Sequence, residues 1–204
     1  GHARSRSLHE LNRRDEAEQA ILEALAIRQR LLGHDHPLIG ATLAMQGNIV
    51  FSRGDYERGE SLLREGIDIL RRATNAPTHG PAANSSPITR RSSPHLAFAL
   101  RWLANLLNDQ RRPQEAEPLL LEALALLAAE HGEAHPAIAE TESALAWCCR
   151  RMGGRERLEQ AVLHFANALE IDRQFLAPDH PTMGYRLNSY ASPLEDLGPL
   201  EDGL

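Results

Sequence analysis

Arginine, asparagine and tryptophan at recurring positions are the residues of this chain best suited to chemistry. Arg101, Arg150 and Arg151 each offer a planar fork of donors that matches a carboxylate. Asn48, Asn105 and Asn108 stand in stretches that read as helix interior, where asparagine is a poor choice, so their recurrence asks for a reason. Trp147 adds one of only two tryptophans in a chain that is 4% aromatic. This chemistry is recognition of acidic groups, not bond breaking. Structural readings compete with it: arginines at helix C-termini complement the macrodipole, and asparagines at one repeat position can form a ladder between neighbouring helices.

Other reactive residues add little. His34, His36, His95, His135 and His180 sit at or near turns and recur because the turn recurs. His34 and His36 are two ligands, short of the three or four that zinc takes from protein. His131 and His135 straddle Gly132, and His164 sits beside an inward Phe165. No metal site and no cofactor is expected. Cys148 and Cys149 are adjacent in a helix, where their side chains point apart, and a buried mid-helix thiol is inert. Gly153-Gly154 is an isolated turn and not a phosphate loop. The expectation is a protein that is not an enzyme.

Composition agrees. A net charge of -6 argues against a nucleic-acid binder. No apolar run is long enough to span a membrane, and a cytoplasmic location is expected. Few aromatics beside abundant Ala and Leu favour thin helix-on-helix layers.

Helices must position these residues, and the sequence writes them plainly. In Pro113–Pro136, residues Ala116, Leu119, Leu120, Ala123, Leu124 and Leu127 recur at three- and four-residue steps and share a face. The same phrase predicts helices at about 15–32, 36–53, 55–72, 94–112, 113–130, 136–152, 155–175 and 181–192. Gly33, Gly54, Gly132 and Gly153-Gly154 end helices, and Pro37, Pro94, Pro136 and Pro181 begin them. Pro193 is expected to interrupt the last helix, or Ser192-Pro193 to start a new one.

The period is 42 residues. Ala17 to Gly59 spans 42, as does Pro94 to Pro136. Pro37 to Pro94 exceeds it by 15, placed in the Pro- and Ser-rich stretch 73–93, which reads as a flexible insertion. Ala116 to Ala161 exceeds it by 3, near Gly153-Gly154. The expected organisation is a truncated helix end or tag remnant at 1–14, a repeat array at 15–192, and a capping segment or truncated helix at 193–204. Arg90-Arg91-Ser92-Ser93 resembles a basophilic kinase site at Ser93.

A helix-pair repeat with the phrases GHDHPLIGATL, PHLAFALRWLANLL, EAEPLLLEALALL, HPAIAE and APDHP resembles the 42-residue tetratricopeptide repeats of kinesin light chains and their bacterial relatives. The resemblance covers most of residues 15–192. It implies an all-α, right-handed superhelical solenoid of antiparallel helix pairs. It also implies that the first helix of each pair (A) lines a concave groove and the second (B) lies outside. Asn48, Asn105 and Trp147 are then equivalent positions facing that groove. With Arg101, Asn108, Arg150 and Arg151 they compose an expected site for an extended peptide bearing acidic groups. The implied function is a protein-interaction scaffold, part of a larger protein. The alternative is a structural or regulatory array that packs on a neighbouring domain or self-associates through its terminal helices.

Overall fold

The computed structural model describes residue 16, residues 19–75 and residues 92–198. The ends of the chain, most of the predicted insertion and the side chain of Ser93 lie outside the described residues. Among the described residues all regular structure is helical. The helices are α1 (19–32), α2 (Pro37–Ser52), α3 (Tyr56–Thr74), α4 (Ser92–Asp109), α5 (Pro113–His131), α6 (Pro136–Met152), α7 (Arg155–Phe175) and α8 (Pro181–Leu197).

A single device starts α2, α6 and α8. The Nδ1 of His36, His135 and His180 accepts the backbone N–H two residues on, from Leu38 (3.2 Å), Ala137 (3.1 Å) and Thr182 (3.2 Å). Each histidine precedes a proline whose fixed φ suits the first turn and whose missing N–H is not needed there. These histidines are caps. Asp55 performs the same task for α3, accepting from the Arg58 N–H at 3.2 Å.

At three places the helix boundaries differ from expectation. The first is at the insertion, where α3 continues to Thr74 and α4 already begins at Ser92. The extended end of α3 is closed by the Asn75 N–H on the Arg71 carbonyl and by the Thr74 hydroxyl on the Leu70 carbonyl. The second is the end of α4 at Asp109, so Arg111 and Arg112 lie in the turn, with Arg112 bonded to Glu115 at 2.7 Å. The third is α8, which runs through Pro193 to Leu197 instead of stopping at residue 192. Proline removes one hydrogen bond, to the Ser189 carbonyl. Its ring is buried on the same face as Met183, Arg186 and Ser189, and that packing offsets the loss.

The chain divides into two compact units, residues 1–106 and 107–204. In the first, α2 packs on α3, with Ile39, Leu43 and Ile69 at the centre of a cluster that Leu25 and Leu62 join. In the second, α5 packs on α6, α6 on α7 and α7 on α8. Leu43, Leu100, Leu103 and Leu145 of the A-type helices are buried, as are Ala116, Leu120, Ala123 and Leu127 of the predicted α5 face. Leu119 and Leu124 are half-buried.

Candidate functional site

Within the first unit, α1, α2 and α4 enclose a cavity of about 450 Å³. Arg101 lines it together with Arg28, Met45, His95, Phe98 and Trp102. Phe98 and Trp102 lie one helical turn apart on α4, which stacks their rings at 6.4 Å with planes 29° apart. The Arg101 guanidinium sits 5.7 Å from the centre of the Phe98 ring, a cation–π contact that holds the fork at the cavity wall. Arg28 donates to the Thr42 hydroxyl and, at 3.3 Å, to the Leu38 carbonyl. The result is an apolar aromatic floor with guanidinium at its edge. Asn48 on α2 and Asn105 on α4 are half-buried and do not line this cavity.

In the second unit Trp147, Arg150 and Arg151 line a cavity of about 510 Å³ with Gly153, Leu158 and Asp196. Trp147 meets Phe165 edge-on at 5.3 Å, and the Arg150 guanidinium lies 5.4 Å from the centre of the Trp147 ring. Arg150 also bonds Asp196 of α8 at 2.9 Å. Arg151 lies 3.6 Å from Asp109. Both arginines thus face acids of the chain itself, and Arg150 also faces an aromatic ring. Asn108 is buried, at 5% exposure, unlike Asn48 and Asn105.

A model of the tetratricopeptide repeat matches residues 2–72 and 95–157, more than half of the chain. The chain belongs to the tetratricopeptide repeat family. Its fold is similar to that of a Podosopora anserina putative kinesin light chain with nearly identical TPR-like repeats, solved by crystallography. One such structure shares 21% identity at a TM-score of 0.62, covering 94% of this chain and 86% of the other. A substituted form gives 21% and 0.63, covering 94% and 85%. At that identity the likeness shows the fold, an all-α solenoid of antiparallel helix pairs. Among curated proteins none matches the chain. No helix among the described residues is long and apolar enough to cross a membrane.

The repeat frame assigns α2, α4, α6 and α8 as A helices and α1, α3, α5 and α7 as B helices. It also exposes a residue that the sequence reading passed over. Arg186 of α8 is buried at 3% exposure and bonds Asp172 of α7 at 2.5 Å, Glu140 of α6 at 3.0 Å and the Ser143 hydroxyl. The spacing of Met183, Arg186, Ser189 and Pro193 held the signal, since Arg186 falls on the same helical stripe as Met183. The cysteines are packing residues. Burial, then the neighbouring Cys149 and Glu117, push the Cys148 thiol up to about 12, and it donates to the Pro113 carbonyl at 3.0 Å. Burial raises Cys149 as well. Neither is a nucleophile near neutral pH.

Proposed function

We propose that this tetratricopeptide repeat chain is a cytoplasmic protein-interaction scaffold that holds an extended, acidic segment of a partner along its A helices. The carrying observation is the cavity of the first unit, where Arg101 stands over Phe98 beside Trp102. An apolar side chain of the partner fills the aromatic floor, and a neighbouring carboxylate meets the guanidinium. Asn48 and Asn105 bond the segment's backbone. Trp147, Arg150 and Arg151 form the corresponding place on the second unit, where Asp196 competes with a partner's carboxylate. Asn108 joins them only if its surroundings shift on binding, because it is buried. The work is binding, with no catalysis and no cofactor, at an affinity on the order of micromolar, about -8 kcal/mol.

Titration with a short peptide carrying aspartates around a leucine tests the reading. Arg101→Ala is expected to weaken it roughly tenfold, about 1.4 kcal/mol, and raised salt to weaken it further. Asp196→Ala is expected to tighten it by releasing Arg150. Affinity indifferent to salt and to Arg101→Ala would sink the proposal. The competing reading, self-association or docking on a neighbouring domain, draws on the exposed Leu31 and Ile27 of α1 and Tyr185, Leu187 and Leu194 of α8. A light-scattering measurement decides: dimers that disperse in Leu187→Glu favour it.

A further inference from the structure

Within the second unit α5, α6 and α7 enclose a groove of about 460 Å³ whose chemistry is opposite to that of the first unit's cavity. Leu124, Ile138 and Ile171 form its apolar floor, and Glu133, Glu142 and Glu170 stand around it. Ile138 and Ile171 are buried, whereas Glu133 and Glu170 are exposed. Glu142 is fixed by His164, whose Nδ1 lies 2.7 Å from its carboxylate. No arginine lines the groove, although all 22 basic residues of the chain are arginine and sit on most of its helices.

We infer that this groove docks a basic segment of another protein, one carrying arginines on either side of an aliphatic residue. The floor takes the aliphatic side chain, and the carboxylates bond the guanidiniums in pairs. The amides of Asn167 and Gln174, also on the wall, suit the segment's backbone. Charge complementarity selects this occupant. Three carboxylates, of which only Glu142 has a histidine beside it, and no arginine on the wall repel an acidic peptide, a nucleic acid and an anionic membrane surface alike. A metal ion does not fit either. Among the described residues no three His, Cys, Asp or Glu side chains converge as an ion requires, so the rim suits charges spread along a chain. The docking site is separate from the A-helix site proposed above and stands without it.

The test uses the full chain and a fluorescent peptide with two arginines on each side of a leucine, followed by anisotropy. Binding is expected to weaken at least tenfold in Glu133→Gln/Glu170→Gln and severalfold in raised salt, and to persist in Arg101→Ala. Both glutamates are exposed, so the double variant should unfold at the wild-type midpoint, which circular dichroism checks. A peptide with glutamates in place of the arginines should not compete. Double-variant affinity within twofold of wild type would overturn the assignment. So would an equal loss in Arg101→Ala, which would place the basic peptide elsewhere.

Discussion

The helix pairs α2–α3 and α6–α7 fill the same repeat positions with different residues. Where α2 and α3 meet stand Gly40, Gly47, Gly59 and Gly66; the equivalents in α6 and α7 are Ala139, Ala146, Ala161 and Ala168, all fully buried. A methyl added at Gly66 would lie 2.6 Å from the Gly40 carbonyl oxygen, and one at Gly40 would lie 2.8 Å from the Gly66 oxygen. The first pair therefore brings backbone against backbone, and the second leaves room for a methyl between. Each glycine costs helix stability of about 1 kcal/mol relative to alanine, so α2–α3 must recover that through close contact. The junction from a B helix to the next A helix differs too. Arg28 bonds the Thr42 hydroxyl in the first unit, whereas at the same positions Asp172 pairs with Arg186 in the second. A repeat fixes where a small residue or a pair must be, and leaves open the chemistry that meets the requirement.

The junctions give the largest expected effect. Arg186→Leu strands Asp172, at 4% exposure, without its cation and should destabilise the second unit by about 3–5 kcal/mol. Adding Asp172→Leu should restore most of that, because the position equivalent to Asp172 in the intervening repeats is Leu70 and Leu127. Arg28→Leu removes only bonds to neutral acceptors, the Thr42 hydroxyl and the Leu38 carbonyl, and should cost about 1 kcal/mol. Urea denaturation followed by residue-resolved hydrogen exchange separates the units. Equal losses for Arg186→Leu and Arg28→Leu would erase the distinction.

The seams come next. Gly66→Ala should destabilise α2–α3 by about 1–3 kcal/mol, since overpacking outweighs the gain in helix propensity. Ala168→Gly in the second unit should cost about 1 kcal/mol with no clash. A Gly66→Ala variant more stable than wild type would mean that the close approach relaxes freely. Smaller and opposite in sign is Arg111→Gly. Arg111 holds φ at 60°, where its repeat equivalents are Gly54 at 89° and Gly153 at 73°. Removing the side chain from that left-handed turn should stabilise the second unit by about 1 kcal/mol, read as a raised unfolding midpoint.

Most of the fold was legible because two signals agreed, a leucine and alanine stripe at helical spacing and, before α2, α6 and α8, a His-Pro cap. The α8 boundary was not, because Pro193 outside a first turn ordinarily ends a helix and only burial against neighbouring helices shows why it does not. Of the candidate site, the one-turn spacings were legible and the long-range partners were not. Arg150 and Trp147 do meet, at 5.4 Å, as their one-turn spacing requires. That Asp196 reaches Arg150 from 46 residues away depends on how α8 folds back, which no local pattern encodes. Arg186 was hidden by the same rule that makes arginine a surface residue. The acidic groove draws its wall from three helices, so no single stretch of sequence displays it.

The caps offer the finest discrimination between the units. His36 and His135 make the same bond, but the His135 ring stacks on His131 at 4.1 Å, while among the described residues no ring stacks on His36. Burial, and then the charge that His131 carries when protonated, lower the His135 pKa below its ordinary value. A lowered pKa in the folded state means that folding favours the neutral imidazole, whose Nδ1 can accept the Ala137 N–H. The stability this contributes is complete above the unfolded value of about 6.5. It is lost as pH falls through the folded value, because the unfolded chain then binds the proton more readily. His135→Asn keeps an acceptor without the titration, and should leave neutral-pH stability within about 1 kcal/mol of wild type while reducing the loss in mild acid. His131→Ala should move the His135 titration, followed by imidazole NMR, back toward its ordinary value. If His135 titrates at the same pH with and without His131, the stacked ring has no electrostatic part in the cap, and burial alone sets its pKa.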